Sequence, residues 1–193
     1  MASGNKKAGR AASNVRDRLL KESANLFMQY GYERTTMRNI ANAAGIKLGS
    51  IAYYFKSKED ILYATMSAVI ESGEQTAIAT LEGSDDVRQK LQSLIEIELH
   101  SFLNDTGSIV IKEWRCLSKK HRTLLLRHQK IYENIWSDVL KECHARGIIR
   151  AKPEITRRVL RGAFAWSESW NGMERDLPIE ELAKEIMQLI THE

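Results

Sequence analysis

Proline and cysteine are scarce: the 193-residue chain holds two of each, Pro153, Pro178, Cys116 and Cys143. So few prolines leave long helices uninterrupted. The cysteines stand too far apart for a zinc or redox pair, and His144 points away from Cys143 on a helix, so no metal site is expected. No apolar run approaches the roughly 20 residues that span a bilayer. The basic opening residues also lack the apolar stretch of a secretory signal. A soluble, cytoplasmic protein with no membrane partner is expected. The chain has no phosphate-cradling glycine loop, and the scattered His100, His121, His128, His144 and His192 have no evident catalytic partners. Neither an enzyme nor a cofactor is expected.

What the chain does have is unevenly placed charge. Residues 1–60 hold 11 lysines and arginines against 5 acidic residues, a net of +6, while the remaining 133 hold 18 against 20. A basic N-terminal segment suits a polyanion, because each neutralised phosphate releases condensed counterions. A solvated basic face or a membrane-surface patch is the plainer alternative. Apolar residues recur at three and four positions nearly throughout, so the chain reads as all-α. Residues 1–13 read as a disordered basic arm. A first helix is expected over 14–30, with Leu19, Ser23, Leu26 and Tyr30 on one stripe and Gly31 as its stop. A second begins after its cap Thr36, a short third covers 47–55, and a fourth, capped by Ser57, runs to Thr80. Further helices are expected from Val87 to Phe102, from Ile109 to Leu117, through Leu125, Tyr132 and Val139 to a stop at Gly147, from Pro153 to Trp170, and after Pro178.

The segment from Gly31 to Glu59 carries the strongest motif. Ile40 and Ala44 suit a small core, Gly45 permits a left-handed turn between two helices, and Ile46 plugs that turn. The next helix is then free to enter a major groove. This stretch resembles the TetR family of regulators, through Ile40-Ala41, Ala44-Gly45-Ile46, Gly49-Ser50-Ile51, Tyr54-Phe55 and Lys58-Glu59. The resemblance implies about nine helices, an N-terminal three-helix helix-turn-helix domain over 14–60 and a helical regulatory and dimerisation domain over 61–193. It also implies a homodimer on double-stranded operator DNA. By position it places Lys47, Leu48, Ser50, Ile51 and Tyr53 on the reading helix and Thr36, Arg38, Tyr54 and Lys58 at phosphates. Two positions depart from the pattern: Ala52 replaces a common tyrosine, and Lys47 replaces a frequent capping serine. Phe55 reads as a core plug.

Farther on, Glu113-Trp114-Arg115, Tyr132-Glu133 and Gly162 to Trp166 are similar to the subset of TetR-like regulators that sense acyl-CoA or related lipid and aromatic-acid ligands. That likeness implies a ligand-responsive repressor whose inducer, an acyl-CoA or another apolar anion, meets Trp114, Tyr132, Trp136, Trp166 and Trp170, with Arg115, Arg122, Arg157, Arg158 and Arg161 able to hold its head group. Each tryptophan also fits an ordinary core position, and the arginines fit ion pairs with neighbouring carboxylates. Two other functions fit the pattern, an activator of the same fold and a helical adaptor that binds only protein.

Overall fold

In a computed structural model, the chain is described over residues 3–103, 107–170 and 177–192, with side chains described from 14 onward and, in the eighth helix, up to 167. Nine α-helices and one short 3-10 turn occur among the described residues: α1 Ser3–Tyr30, α2 Met37–Ala43, α3 Leu48–Tyr54, α4 Lys58–Leu81, α5 Val87–Leu103, α6 Ile109–Lys112, the turn Trp114–Cys116, α7 Lys119–Ala145, α8 Pro153–Trp170 and α9 Ile179–Ile190. None of these helices is long and apolar enough to cross a membrane. The disordered arm expected over 1–13 is replaced from Ser3 onward by the first turns of α1. Lys6, Lys7, Ala8, Arg10, Ala11 and Ala12 are strong helix formers. The single helix expected over 109–117 is instead α6 and the 3-10 turn, separated at Glu113.

The chain forms two compact units, and the division differs from the expected boundary at residue 60. One unit is Met1–Ala68 with Ile109–Leu125, and the other is Val69–Ser108 with Leu126–Glu193. The boundary therefore falls inside α4, and the α6 segment with the start of α7 belongs with the helix-turn-helix.

In the first unit α2 packs on α1 and α3. Leu19, Phe27, Ile40, Ala44, Ile51, Phe55, Ile61 and Leu62 are buried there. Every helix start needs partners for its free N–H groups. At α2, Thr36 Oγ1 accepts the Asn39 N–H at 3.2 Å while Asn39 Oδ1 accepts the Thr36 N–H at 2.9 Å, a reciprocal capping box. Such a cap contributes about 1 kcal/mol. At α4, Ser57 Oγ accepts the Asp60 N–H at 3.0 Å.

In the second unit α5 packs against α8 and α9. Its core holds Val87, Leu91, Leu94, Ile95 and Leu99 of α5, Trp136, Leu140 and Cys143 of α7, Leu160 and Phe164 of α8, and Ala183, Ile186 and Met187 of α9. Cys143 is a core thiol pushed up to about 11, chiefly by burial. Arg88 ties down the chain end through Thr191 Oγ1, at 3.2 Å, and the His192 carbonyl.

Candidate functional sites

The turn between α2 and α3 follows from one glycine. Gly45 has φ +64°, the left-handed region open to a residue without Cβ. Its N–H donates to the Asn42 carbonyl at 3.1 Å, and the Ile46 N–H reaches back to Ala41 at 3.0 Å. These two bonds form a Schellman motif, which ends α2 and redirects the chain into α3. Ile51 and Phe55 face inward beneath α3, while Lys47, Leu48, Gly49, Ser50, Ala52 and Tyr53 face outward. Tyr53 is 81% exposed and meets Tyr54 edge-on at 5.0 Å. An exposed tyrosine among small and basic neighbours, on a helix supported from below, is a surface able to enter a groove.

Two expected DNA contacts are placed differently. Ile51 is 0% exposed and belongs to the core of the first unit, so it holds α3 up and does not read bases. Lys58, expected at a phosphate, is half-buried and spends its ammonium on backbone carbonyls, Tyr32 at 2.7 Å, Thr35 at 2.9 Å and, more weakly, Glu33 at 3.4 Å. It also lies 4.1 Å over the Tyr32 ring. It clasps the loop from α1 to α2. Thr36 and Arg38 lie exposed at the start of α2, and Lys47 caps α3 only through its backbone.

Sequence inspection missed the carboxylates that fasten this unit. Glu113 Oε1 accepts the Tyr32 N–H at 3.1 Å. Glu59 Oε1 accepts the Ser118 N–H at 2.8 Å and meets His121 Nδ1 at 2.6 Å. His121 stacks on Tyr63 at 4.8 Å. Bonds from Ser118 first, then from His121, hold the Glu59 carboxyl down to about 2. These contacts explain why residues 109–125 join the first unit. Helical spacing carries no trace of them, because the partners lie 59 and 81 positions apart.

The expected ligand residues separate. Trp114 and Arg115 sit in the 3-10 turn of the first unit, whereas Tyr132, Trp136, Arg161 and Trp166 belong to the second. Trp166, expected in a pocket wall, is 71% exposed on the outer face of α8. The Trp170 side chain lies outside the described residues. Tyr132 and Trp136 do come together, around groups the sequence did not single out as a cluster. The Tyr132 hydroxyl donates to Glu98 Oε2 at 2.7 Å. Arg157 donates to Glu133 through Nε at 3.1 Å and Nη2 at 2.9 Å, and reaches Glu98 at 3.4 Å. Its guanidinium lies 4.2 Å over the Trp136 ring. Arg161, half-exposed, approaches Glu133 at 3.4 Å. Burial, then Glu98, pushes the Tyr132 phenol well above its ordinary value.

With this geometry in place, the family is decided by two matches that together cover most of the chain. Residues 19–65 match the model for bacterial regulatory proteins of the tetR family, and residues 84–193 match a tetracyclin repressor-like C-terminal domain. The chain belongs to the TetR family. It is thus a DNA-binding transcriptional regulator and not an enzyme. It is 25% identical over 180 residues to the transcriptional repressor KstR2 of Mycolicibacterium smegmatis, covering 91% of this chain and 88% of that one. The solved structure of superantigen PfiT is 39% identical, with a TM-score of 0.81, covering 92% of this chain and 96% of that one. AibR in complex with isovaleryl coenzyme A and operator DNA has a TM-score of 0.80 at 19% identity, covering 92% and 98%, and so shares the fold. The all-α, helix-turn-helix architecture expected from the sequence is that of this TetR-family chain.

Proposed function

We propose that the chain is a dimeric repressor that binds operator DNA through α3 and leaves it when a small apolar ligand, of the acyl-thioester type, occupies the second unit. The observation that carries the DNA half is the outward face of α3, where Lys47, Leu48, Ser50 and Tyr53 stand exposed over buried Ile51 and Phe55. Arg38 and Thr36 at the start of α2, with Tyr54, are proposed phosphate contacts.

Dimerisation is supported by α8. Ile155, Val159, Gly162 and Trp166 recur at helical spacing, and Ile155, Val159 and Trp166 are 46, 62 and 71% exposed. Leu189 of α9 is 84% exposed. Apolar side chains this open on a helix stripe suit burial against a second copy. One short reading helix gives little affinity alone, and two fill successive major grooves. An acyl-CoA-type ligand is supported by the likeness to AibR, whose structure holds isovaleryl coenzyme A together with operator DNA. Such a ligand acts only if it binds the DNA-free state more tightly than the DNA-bound one.

The test is fluorescence anisotropy with the duplex upstream of the chain's own gene, across salt, with and without acyl-CoA thioesters. Salt-sensitive specific binding lost on adding one thioester is the expected result. Specific binding indifferent to every thioester removes the ligand class, and absence of binding at low salt favours the protein-only adaptor.

A further inference from the structure

The Glu98–Tyr132–Arg157–Glu133 cluster has hydrogen-bonding capacity that the described residues do not fill. Among the described residues Arg157 Nη1 is buried without a hydrogen-bond acceptor, and Trp136 Nε1 has at most a weak bond to the Tyr132 hydroxyl. Arg157 is 8% exposed and Trp136 0%. An unsatisfied buried donor costs free energy unless something fills it, and a charged donor costs more. The two belong to one stacked pair, the guanidinium lying over the indole ring. They come from α8 and α7, next to Glu98 of α5. Three helices of the regulatory unit thus converge on one place with hydrogen-bonding capacity to spare.

Charge decides what can fill it. Arg157 is already countered by Glu98 at 3.4 Å and by Glu133 at 2.9 Å, and Glu133 is shared with Arg161. The cluster holds two cations and two carboxylates. A carboxylate arriving at Arg157 would be a third anion in a site where water is largely excluded, and neither arginine has charge left to offset it. An uncharged oxygen accepts a hydrogen bond there without that cost.

We propose that the Arg157 edge stacked on Trp136 anchors the inducer, and that it takes an uncharged carbonyl oxygen, as in a thioester, in preference to a free carboxylate. The assignment rests on the ligand-responsive reading above and narrows its chemistry. It moves the expected recognition of an anionic head group away from Arg157, whose charge is already matched within the fold.

The test compares two probes that differ by one oxygen: isovaleryl-CoA and the S-isopentyl thioether of CoA, which keeps the carbon chain and loses the carbonyl. Isovalerate is the third probe. Binding to the full-length protein is read by calorimetry and by displacement of labelled operator. The thioester is expected to bind about tenfold or more tightly than the thioether, equivalent to about 1.4 kcal/mol, and isovalerate more weakly than either. R157K keeps the positive charge facing Glu98 and Glu133 but lacks the guanidinium fork, and is expected to reduce the thioester preference to under about twofold while operator binding persists. If R157K does not fold, W136F removes the indole N–H together with part of the bicyclic ring, keeps an aromatic face beneath the guanidinium, and is expected to lower the same preference. Equal binding of thioester and thioether, a preference for isovalerate, or an undiminished preference in the folded variants overturns the carbonyl assignment and leaves the DNA reader standing. Binding of no probe to a protein that still holds operator also overturns it. Failure to bind operator at all strikes the proposed function instead.

Discussion

Replacing Lys58 by methionine separates a structural lysine from a DNA-contacting one. Its ammonium donates at 2.7 and 2.9 Å to the carbonyls of Tyr32 and Thr35 and lies 4.1 Å over the Tyr32 ring. Hydrogen bonds from a charged donor contribute about 1.5–3 kcal/mol each, and a cation–π contact about 0.5–1. The loop is partly exposed, so water takes up the released carbonyls and the net loss falls to about 2 kcal/mol. For a chain of this size that lowers Tm by about 4–8 °C. The operator assay gives the second readout. Each phosphate contact adds about 0.9 to the slope of log K against log salt, and a dimer loses two contacts per substitution. K58M should leave that slope within about 0.9 of the native value at a temperature well below both melting transitions, while R38M should reduce it by about 1.8. A K58M protein with native Tm and a slope reduced by about 1.8 would refute the loop-clasp assignment.

Three further outcomes follow from the same geometry. I51A should cost about 2–5 kcal/mol in urea unfolding because Ile51 is fully buried, whereas Y53A should change stability by under about 0.5 and weaken operator binding. Glu59 has a folded value of about 2, below its unfolded one, so its stabilisation is full above the ordinary carboxyl range and fades as pH falls from there towards 2. The urea-midpoint gap between native protein and E59Q should shrink over that range, and a constant gap would show that Glu59 contributes nothing through its charge. W166E should convert a sedimenting dimer to monomer with helical content intact, while F164A, at a buried core position, should lose about 3–5 kcal/mol of stability.

The helices were legible because their signals are local. Capping hydroxyls at Thr36 and Ser57, left-handed glycines at 31, 45 and 147, and apolar spacing of three and four each act within one turn of chain. Ile51 was misassigned for a related reason. A family pattern marks α3 as the reading helix, but which side of a two-turn helix faces inward depends on the packing of α1, α2 and α3 together. The arm over 1–13 failed differently, since a basic composition fits both a disordered tail and a lysine- and alanine-rich helix.

The sequence by itself determined that the chain is helical, that a glycine-hinged helix pair lies near its start, and that basic charge is concentrated there, because propensity, capping and composition need no distant partner. Only the tertiary structure decided that Lys58 serves the loop, that residues 109–125 join the DNA-reading unit through Glu59 and Glu113, that Trp166 faces outward, and that Arg157 is neutralised by carboxylates from two other helices. Each depends on groups 23 to 81 positions apart meeting at hydrogen-bond distance or on which face of a helix is covered. Such meetings are set by how helices pack, and the order of residues along any one helix does not contain them.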